Sequence, residues 1–392
     1  MIPLGARGAT TSVTKRAIGR VTSSAVPASV RPDYILRVDD YLAGNDLSGY
    51  AAILSRVVSR GGIAPTVTVP VVAGVATDHL RDGDVVAVDP TGHVRTLYRR
   101  GSRNNVLFAT DRCNSYCLMC SQPPKPRDDT WRVRELLRLV ELIDDDTPNL
   151  CITGGEPTLL KRDLIRVVHA CKERLPRAAL HVLSNGRLFA YARLAADVGA
   201  VEHPDLMIGV PLYSDLDWQH DHVVQAQGAF DQTLMGLLNL TRYGVPVEIR
   251  VVIHRWTVER LRSLAEFIYR NVPFAAHVAF MGLEATGFAV PNFRQLWIDP
   301  WDYRHQLVEA VSFLAARGLD VSVYNHQLCT VPAVVWPFCR QSISDWKNEY
   351  LPVCANCSVR GQCGGFFASN VQRAHSVHIE PVPDVNRQTL DH

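Results

Sequence analysis

From Val106 onward the chain alternates between short apolar runs that read as strands and longer stretches of helical periodicity, and this alternation limits the fold more than any other feature. The strand-like runs fall at 106–110, 150–153, 180–183, 206–211, 247–253 and 276–280, with 320–324 as a candidate seventh. In the first interval Val133, Leu136, Leu137, Val140 and Ile143 share one helical face, while Arg132, Arg138 and Glu141 fall elsewhere. Six or so such units, each of about 25 to 45 residues, imply a parallel sheet with right-handed crossovers, an α/β fold curled into a partial (β/α)6 barrel. In such a barrel the chemistry gathers at the C-terminal ends of the strands.

Those ends carry distinctive residues. The first run leads into Cys113, Cys117 and Cys120, at spacings of four and three. Three thiolates so close cannot pair off as disulfides without leaving one over, and they can converge on one soft metal centre. Three cysteines on a four-iron cluster leave one iron open, where a small molecule can bind and receive an electron. Structural zinc is the plainer alternative, but it takes four protein ligands and no fourth lies in this loop. The second run leads into Gly154-Gly155-Glu156-Pro157, where glycines permit close backbone approach and a carboxylate can meet an ammonium. The third leads into Ser184-Asn185-Gly186 and the fourth into Tyr213-Ser214-Asp215, while the fifth carries Glu248 and Arg250 before His254. Turn and cap duty is the ordinary alternative for these polar residues.

A second group of thiols follows the barrel. Cys354 and Cys357 stand three apart, then come Cys363 and the glycines Gly364 and Gly365, with Cys329 and Cys339 upstream. This is a cluster or zinc pattern. Cys151 and Cys171 fall on the apolar faces of a strand and a helix and read as core residues.

Residues 1–104 lack the barrel period. The stretch 41–60 reads as helical, with Tyr50, Ile53, Leu54 and Val57 at helical spacing. The stretches 66–75 and 85–98 read as strands, the latter folded into a hairpin at Asp89-Pro90-Thr91-Gly92. The expected organisation is a small α+β module over 1–104, the barrel over 105–318 and a metal-binding extension over 319–392.

Composition narrows the partners. Forty-one basic residues against 39 acidic ones give a formal charge of +2, which supplies no polyanion-binding field, so no nucleic-acid partner is expected. Ten cysteines gathered mostly in two short clusters point to metal in a reducing compartment rather than to disulfides. No apolar run reaches the ~18 residues of a membrane span, and no membrane partner is expected. The first thirty residues hold Arg7, Lys15, Arg16 and Arg20 and no acid, the composition of a transit peptide; a flexible or strand-forming leader is the preferred reading, and the cytoplasm the expected location.

The cysteine spacing, with Gly154-Gly155-Glu156-Pro157 after the next strand, resembles the signature of the radical S-adenosylmethionine (SAM) superfamily. That resemblance implies a [4Fe-4S] cluster with an open iron on Cys113, Cys117 and Cys120, with SAM as the ligand of that iron. It implies that Gly154, Gly155, Glu156 and Pro157 hold the amino group of SAM, and that Ser184, Asn185, Ser214 and Arg250 are candidates to hold its carboxylate and ribose. Met119 departs from the pattern, standing where an aromatic residue is usual; a change of packing against adenine is expected. His220-Asp221 with Gly228-Ala229-Phe230-Asp231 resembles the loop and helix start of the peptide-modifying subgroup. Asp231 there is expected to cap its helix, and His220 and Asp221 could alternatively grip substrate.

The C-terminal cysteines resemble the auxiliary-cluster domains called SPASM, or the shortened twitch form. The full pattern would place another cysteine where Phe367 stands, so one auxiliary [4Fe-4S] cluster is expected, on Cys354, Cys357, Cys363 and a fourth ligand. Cys329 is the candidate and Cys339 its rival. A narrower resemblance, to the radical SAM maturase C of the His-Xaa-Ser system, rests on Leu118-Met119-Cys120-Ser121-Gln122-Pro123-Pro124-Lys125, Pro211-Leu212-Tyr213-Ser214-Asp215, Phe280-Met281-Gly282-Leu283-Glu284, Ser342-Ile343-Ser344-Asp345-Trp346-Lys347 and Met1-Ile2-Pro3-Leu4. The last of these argues against a cleaved transit peptide. The resemblance implies an enzyme that modifies a ribosomally made peptide, with a substrate protein bearing His-Xaa-Ser repeats, a partner maturase and an external electron donor. Radical SAM chemistry on a small molecule, and a non-catalytic metal-binding scaffold that docks a peptide, are the alternatives.

Overall fold

The computed structural model describes residues 4–10, 12–39, 46–57, 69–341 and 349–383. The runs 1–3 and 342–347, on which part of the narrower resemblance rests, lie outside them, as do 41–45, 58–60 and 66–68. By internal contacts the chain divides into two compact units. One comprises Met1–Phe108, Thr130–Cys151 and Arg166–Leu180; the other comprises Ala109–Asp129, Ile152–Ile165 and His181–His392.

In the first unit β1 (Gly5–Arg7), β2 (Ala17–Thr22), β3 (Tyr34–Val38), β4 (Ala52–Ser55), β5 (Val71–Ala73), β6 (Val85–Val88) and β7 (His93–Tyr98) form a sheet in the order β1-β7-β6-β2-β3-β4-β5. The steps from β2 through β5 are parallel and the others antiparallel. The hairpin between β6 and β7 forms where the sequence places it. Asp89 Oδ1 accepts from the amides of Thr91 (2.9 Å) and His93 (3.2 Å), and Gly92 takes φ +75°.

The helix expected over 41–60 is not what forms among its described residues. Ala52–Ser55 is a strand between two parallel neighbours, and all four of its side chains are buried. A strand covered on both faces reads as a continuous apolar run, which short helical spacing cannot be told from.

The second sheet has eight strands, β8 (Asn104–Phe108), β9 (Asn149–Thr153), β10 (Ala179–Leu183), β11 (Leu206–Pro211), β12 (Val247–Ile253), β13 (His277–Gly282), β14 (Val321–Tyr324) and β15 (Cys339–Arg340), laid side by side in chain order. It is parallel and curls into a half-barrel. The seven expected strands are all present, their limits within two residues of the expected ones; β15 was not foreseen. The principal helices between them are α1 (Arg132–Leu142), α2 (Arg162–Arg174), α3 (Ala192–Gly199), α4 (Asp217–Val224), α5 (Ala229–Arg242), α6 (Arg255–Val258), α7 (Leu261–Asn271), α8 (Phe293–Leu296) and α9 (Arg304–Ala315), and α10 (Ala368–Val371) follows β15.

The strand β12 shows why the sheet curls around a site. Val247, Ile249, Val251 and Ile253 are buried on one face, and Glu248, Arg250 and Val252 occupy the other. A period of two with apolar residues outward and charged residues inward suits helices outside and chemistry inside. The helix α1 is buried more widely than its apolar stripe predicts. Arg132 and Glu135 are also buried, and Glu135 receives Arg16 (2.5 Å) and Arg95 (3.2 Å).

Candidate active site

The cysteine loop begins where β8 ends, and two glycines decide its path. The amide of Gly155 donates to Thr110 O (2.6 Å) and that of Glu156 to Arg112 O (2.8 Å). A Cβ on Gly155 would stand 2.1 Å from Arg112 O, and one on Gly154 2.5 Å from Thr110 O. The loop therefore crosses the turn after β9 backbone against backbone, which only glycine allows. Further along, the amides of Tyr116 and Leu118 donate to Val224 O (3.1 Å) and Val223 O (2.9 Å) at the end of α4. Gly287, at φ +54°, lets the carbonyl of Cys120 approach so closely that a Cβ would meet it at 2.2 Å.

This path brings Cys113, Cys117 and Cys120 to the wall of a cavity of about 340 Å³. The same cavity is lined by Gly155, Ser184, Asn185 and Arg250. Gly154, Glu156, Pro157 and Ser214 are not among its lining residues. Tyr213, Met281, Glu284 and Asn325, which the sequence does not mark individually as site residues, do line it. Their signal is positional, since each stands at or just past the C-terminal end of a barrel strand. Met119 also lines the cavity and packs with Tyr213, Leu283 and Leu296.

Glu156 is fully buried and its carboxylate is occupied. Oε1 accepts from Thr158 N (2.9 Å), Thr158 Oγ1 (2.6 Å) and Ser184 Oγ (2.8 Å), and Oε2 accepts from Asn185 N (2.7 Å). Burial raises its pKa, against the pull of these bonds. Ser214 is likewise engaged: its hydroxyl donates to Gln219 Oε1 (2.6 Å) and accepts from Leu216 N (3.0 Å). The N-cap position of α5 is Gly228, with Asp231 in the first turn, and it is Asp221 whose carboxylate accepts from the amides of Gly228 (2.5 Å) and Phe230 (2.8 Å). His220 Nδ1 accepts from Tyr213 N (3.3 Å), and burial holds the ring at a pKa of about 4.

On the inner face Arg250 donates to Glu248 Oε1 (2.5 Å) and to Met281 Sδ (3.2 Å). Glu248 Oε2 pairs with His277 Nδ1 (2.7 Å), whose Nε2 meets Ser322 Oγ (2.9 Å). Burial alone would raise Glu248; the His277 hydrogen bond and the Arg250 charge overturn it and hold the carboxyl at about 2. The Arg250 side chain is thus oriented from below while its own position is on the cavity wall.

The three thiols suit an iron-sulfur cluster by their chemistry. Burial pushes all three up, Cys113 to about 11, so they stay protonated until a metal displaces the proton. Among the described residues no three His, Cys, Asp or Glu side chains converge on a single-ion position. Thiolates that each take a different iron of one cluster need not do so.

Elsewhere in the same unit Cys329, Cys354, Cys357 and Cys363 line one small cavity with Tyr350. Cys339 is not among its lining residues. Its thiol is directed at Val335 O (3.6 Å), and burial pushes it up to about 12. Cys171 is buried in α2, and Cys151 is half-buried in β9.

Residues 107–268 match the model of the Radical SAM superfamily. Several solved structures superpose on part of the chain. SuiB from Streptococcus suis, bound to S-adenosylmethionine, superposes with a TM-score of 0.45 at 15% identity, over 57% of this chain and 51% of its own. The enzyme anSMEcpe with bound AdoMet gives 0.42 at 15%, over 55% and 60%. A radical SAM methyltransferase from Sphaerobacter thermophilus gives 0.41 at 15%, over 63% and 74%. The chain spans about half the length of SuiB. No curated protein matches the chain.

Proposed function

We propose that the chain is a radical SAM enzyme that modifies a ribosomally made peptide, in the manner of His-Xaa-Ser maturation. The observation that carries the reading is the meeting of Cys113, Cys117 and Cys120 with the ends of the barrel strands around one cavity. Cys113, Cys117 and Cys120 would hold a [4Fe-4S] cluster whose open iron would take SAM and supply the one electron for its reductive cleavage and for hydrogen abstraction from substrate. The chain's own part is positioning. The Gly155 carbonyl, on the cavity wall, can accept from the amino group of SAM and the Arg250 guanidinium can donate to its carboxylate, while Ser184, whose hydroxyl donates to Glu156, shapes the wall between them. Met119, Tyr213 and Leu283 give the adenine an apolar wall. The half-barrel keeps water from the reacting atoms and holds the target carbon close.

A peptide is favoured over a small molecule by the four C-terminal thiols, which Cys329 completes, and by the added N-terminal sheet. Those thiols would hold an auxiliary [4Fe-4S] cluster that accepts the electron left when the substrate radical is oxidised. A partner maturase and an external electron donor belong to the same reading. The test is coexpression with candidate peptides bearing His-Xaa-Ser repeats, followed by mass spectrometry. A mass change that depends on Cys113, Cys117 and Cys120 is expected. Unmodified peptides beside active SAM cleavage would turn the reading toward a small molecule, and absence of SAM cleavage in iron-loaded protein toward a scaffold.

A further inference from the structure

We infer that Asn185 is a positioning residue for the three-thiol centre, its carboxamide donating an N–H···S hydrogen bond to Cys113 and so setting the potential of the cluster, rather than holding SAM. The inference rests on the reading that these thiols carry an iron-sulfur cluster.

The orientation of the amide follows from its partners. Asn185 Oδ1 lies 3.1 Å from the backbone nitrogen of Arg187, which can only donate. The oxygen is therefore fixed on that side and Nδ2 must face the other, whatever ambiguity attends an isolated amide. Nδ2 stands 2.6 Å from Asn114 Oδ1, 3.5 Å from Ser115 Oγ and 3.9 Å from Cys113 Sγ. Its hydrogens are thus directed at the cysteine loop and its oxygen at Arg187, which leaves no N–H for the carboxylate of SAM.

The residue is also held in place from other sides. Its own amide donates to the buried carboxylate of Glu156 (2.7 Å), and its carbonyl accepts from Thr233 Oγ1 (3.1 Å). Two residues on, the Arg187 guanidinium donates to Asn114 O and to Ser115 Oγ (3.0 Å), and is itself steadied by Gln232 Oε1 (2.8 Å). The turn after β10 therefore grips the loop just past Cys113 by two side chains, with Glu156 beneath. A donor aimed at a ligating sulfur favours the more negative, reduced state of a cluster and raises its potential.

The experiment is an anaerobic redox titration of the reconstituted full chain, followed by electron paramagnetic resonance. The first centre is recognised by the change of its signal when SAM is added. Asn185→Leu should retain iron and SAM affinity while its midpoint moves to more negative potential, the reduced fraction at a fixed potential falling several-fold. Asn185→Asp keeps the acceptor for Arg187 but loses the donor and adds a charge, so it should move further the same way. Unchanged midpoints in both variants overturn the inference, as does a loss of SAM affinity at unchanged potential. If Asn185→Leu does not hold iron, wild type grown with ¹⁵N-asparagine decides: a hyperfine coupling to the reduced first centre that Asn185→Asp abolishes supports the inference, and no such difference overturns it. Wild type that binds no iron overturns both the inference and the cluster reading, which separates the two failures.

Discussion

Cys113, Cys117 and Cys120 stand on the wall of a cavity of about 340 Å³ shared with the polar ends of the barrel strands, whereas Cys329, Cys354, Cys357 and Cys363 line a cavity of about 20 Å³. The three thiols have room beside them for a small ligand, and the four have none. Both groups are tied down by hydrogen bonds: the first loop by the side chains of Asn185 and Arg187, and the second group by Tyr350 Oη to Cys363 O (2.9 Å), Gln341 Nε2 to Gly361 O (2.8 Å) and the Val382 amide to Cys357 Sγ (3.3 Å).

The strongest way to break this comparison is to remove the first three thiols. Cys113, Cys117 and Cys120 replaced together by Ala should abolish SAM cleavage and remove half of about eight irons per chain, as two cubane clusters require. Iron analysis and detection of 5′-deoxyadenosine check it. Zinc at the C-terminal thiols, with iron only at the first, would end the electron-acceptor role while sparing the radical one.

Acid comes next, and it strikes both regions. Burial holds His254 at about 3 and His220 at about 4. His326, just before Cys329, is held at about 4, its Nδ1 donating to Tyr324 O (2.8 Å) and its Nε2 accepting from Tyr303 Oη (2.8 Å). All three values lie below the ~6.5 of an unfolded histidine, so the unfolded chain binds more protons as pH falls. The stability of the neutral rings is complete above pH ~6.5 and drains away as pH drops toward 4 and then 3, each ring losing ~1.4 kcal/mol for every pH step it crosses in that window. Urea midpoints should be flat above pH 7 and fall steeply below 6. A midpoint unchanged at pH 5 would mean these rings are not buried as neutral groups.

A smaller effect is expected at Glu156. Glu156→Gln leaves one oxygen for Thr158 and Ser184 but turns an NH2 toward the Asn185 amide, a donor facing a donor. A cost of about 1–3 kcal/mol follows, read in chemical unfolding, with weaker SAM binding because Ser184, on the cavity wall, shifts with it. Wild-type stability and SAM affinity would show that the carboxylate ties nothing together.

The finest test lies within the second group. Cys329→Ala should alter the auxiliary signal in a background lacking the first centre, while leaving SAM cleavage largely intact in an otherwise native chain. Cys339→Ala should do neither, since its thiol behaves as a small buried hydrophobe. A changed signal from Cys339→Ala alone would reverse the assignment.

Most of the barrel was legible because parallel strands and amphipathic helices write different periods into the chain, and the limits of β11 and β12 fall where the apolar runs do. The strand at Ala52–Ser55 was not, because four residues covered on both faces carry no alternation. The three thiols that line the first cavity stand out from spacing alone. The duties of Glu156, Asn185 and Ser214 do not, since each is defined by partners distant in sequence or by the choice between a turn and a ligand. Asp221 shows the same limit: it stands seven residues before the Gly228 amide it accepts from, too far for the usual pattern of a cap.

The crossing of the cysteine loop over Gly154 and Gly155 also fixes an order of events. The amides of Gly155 and Glu156 reach the carbonyls of Thr110 and Arg112 through the polypeptide itself, so the loop can be seated by folding before any metal arrives. A metal centre on these thiols would then be delivered into a cradle that the polypeptide has already shaped.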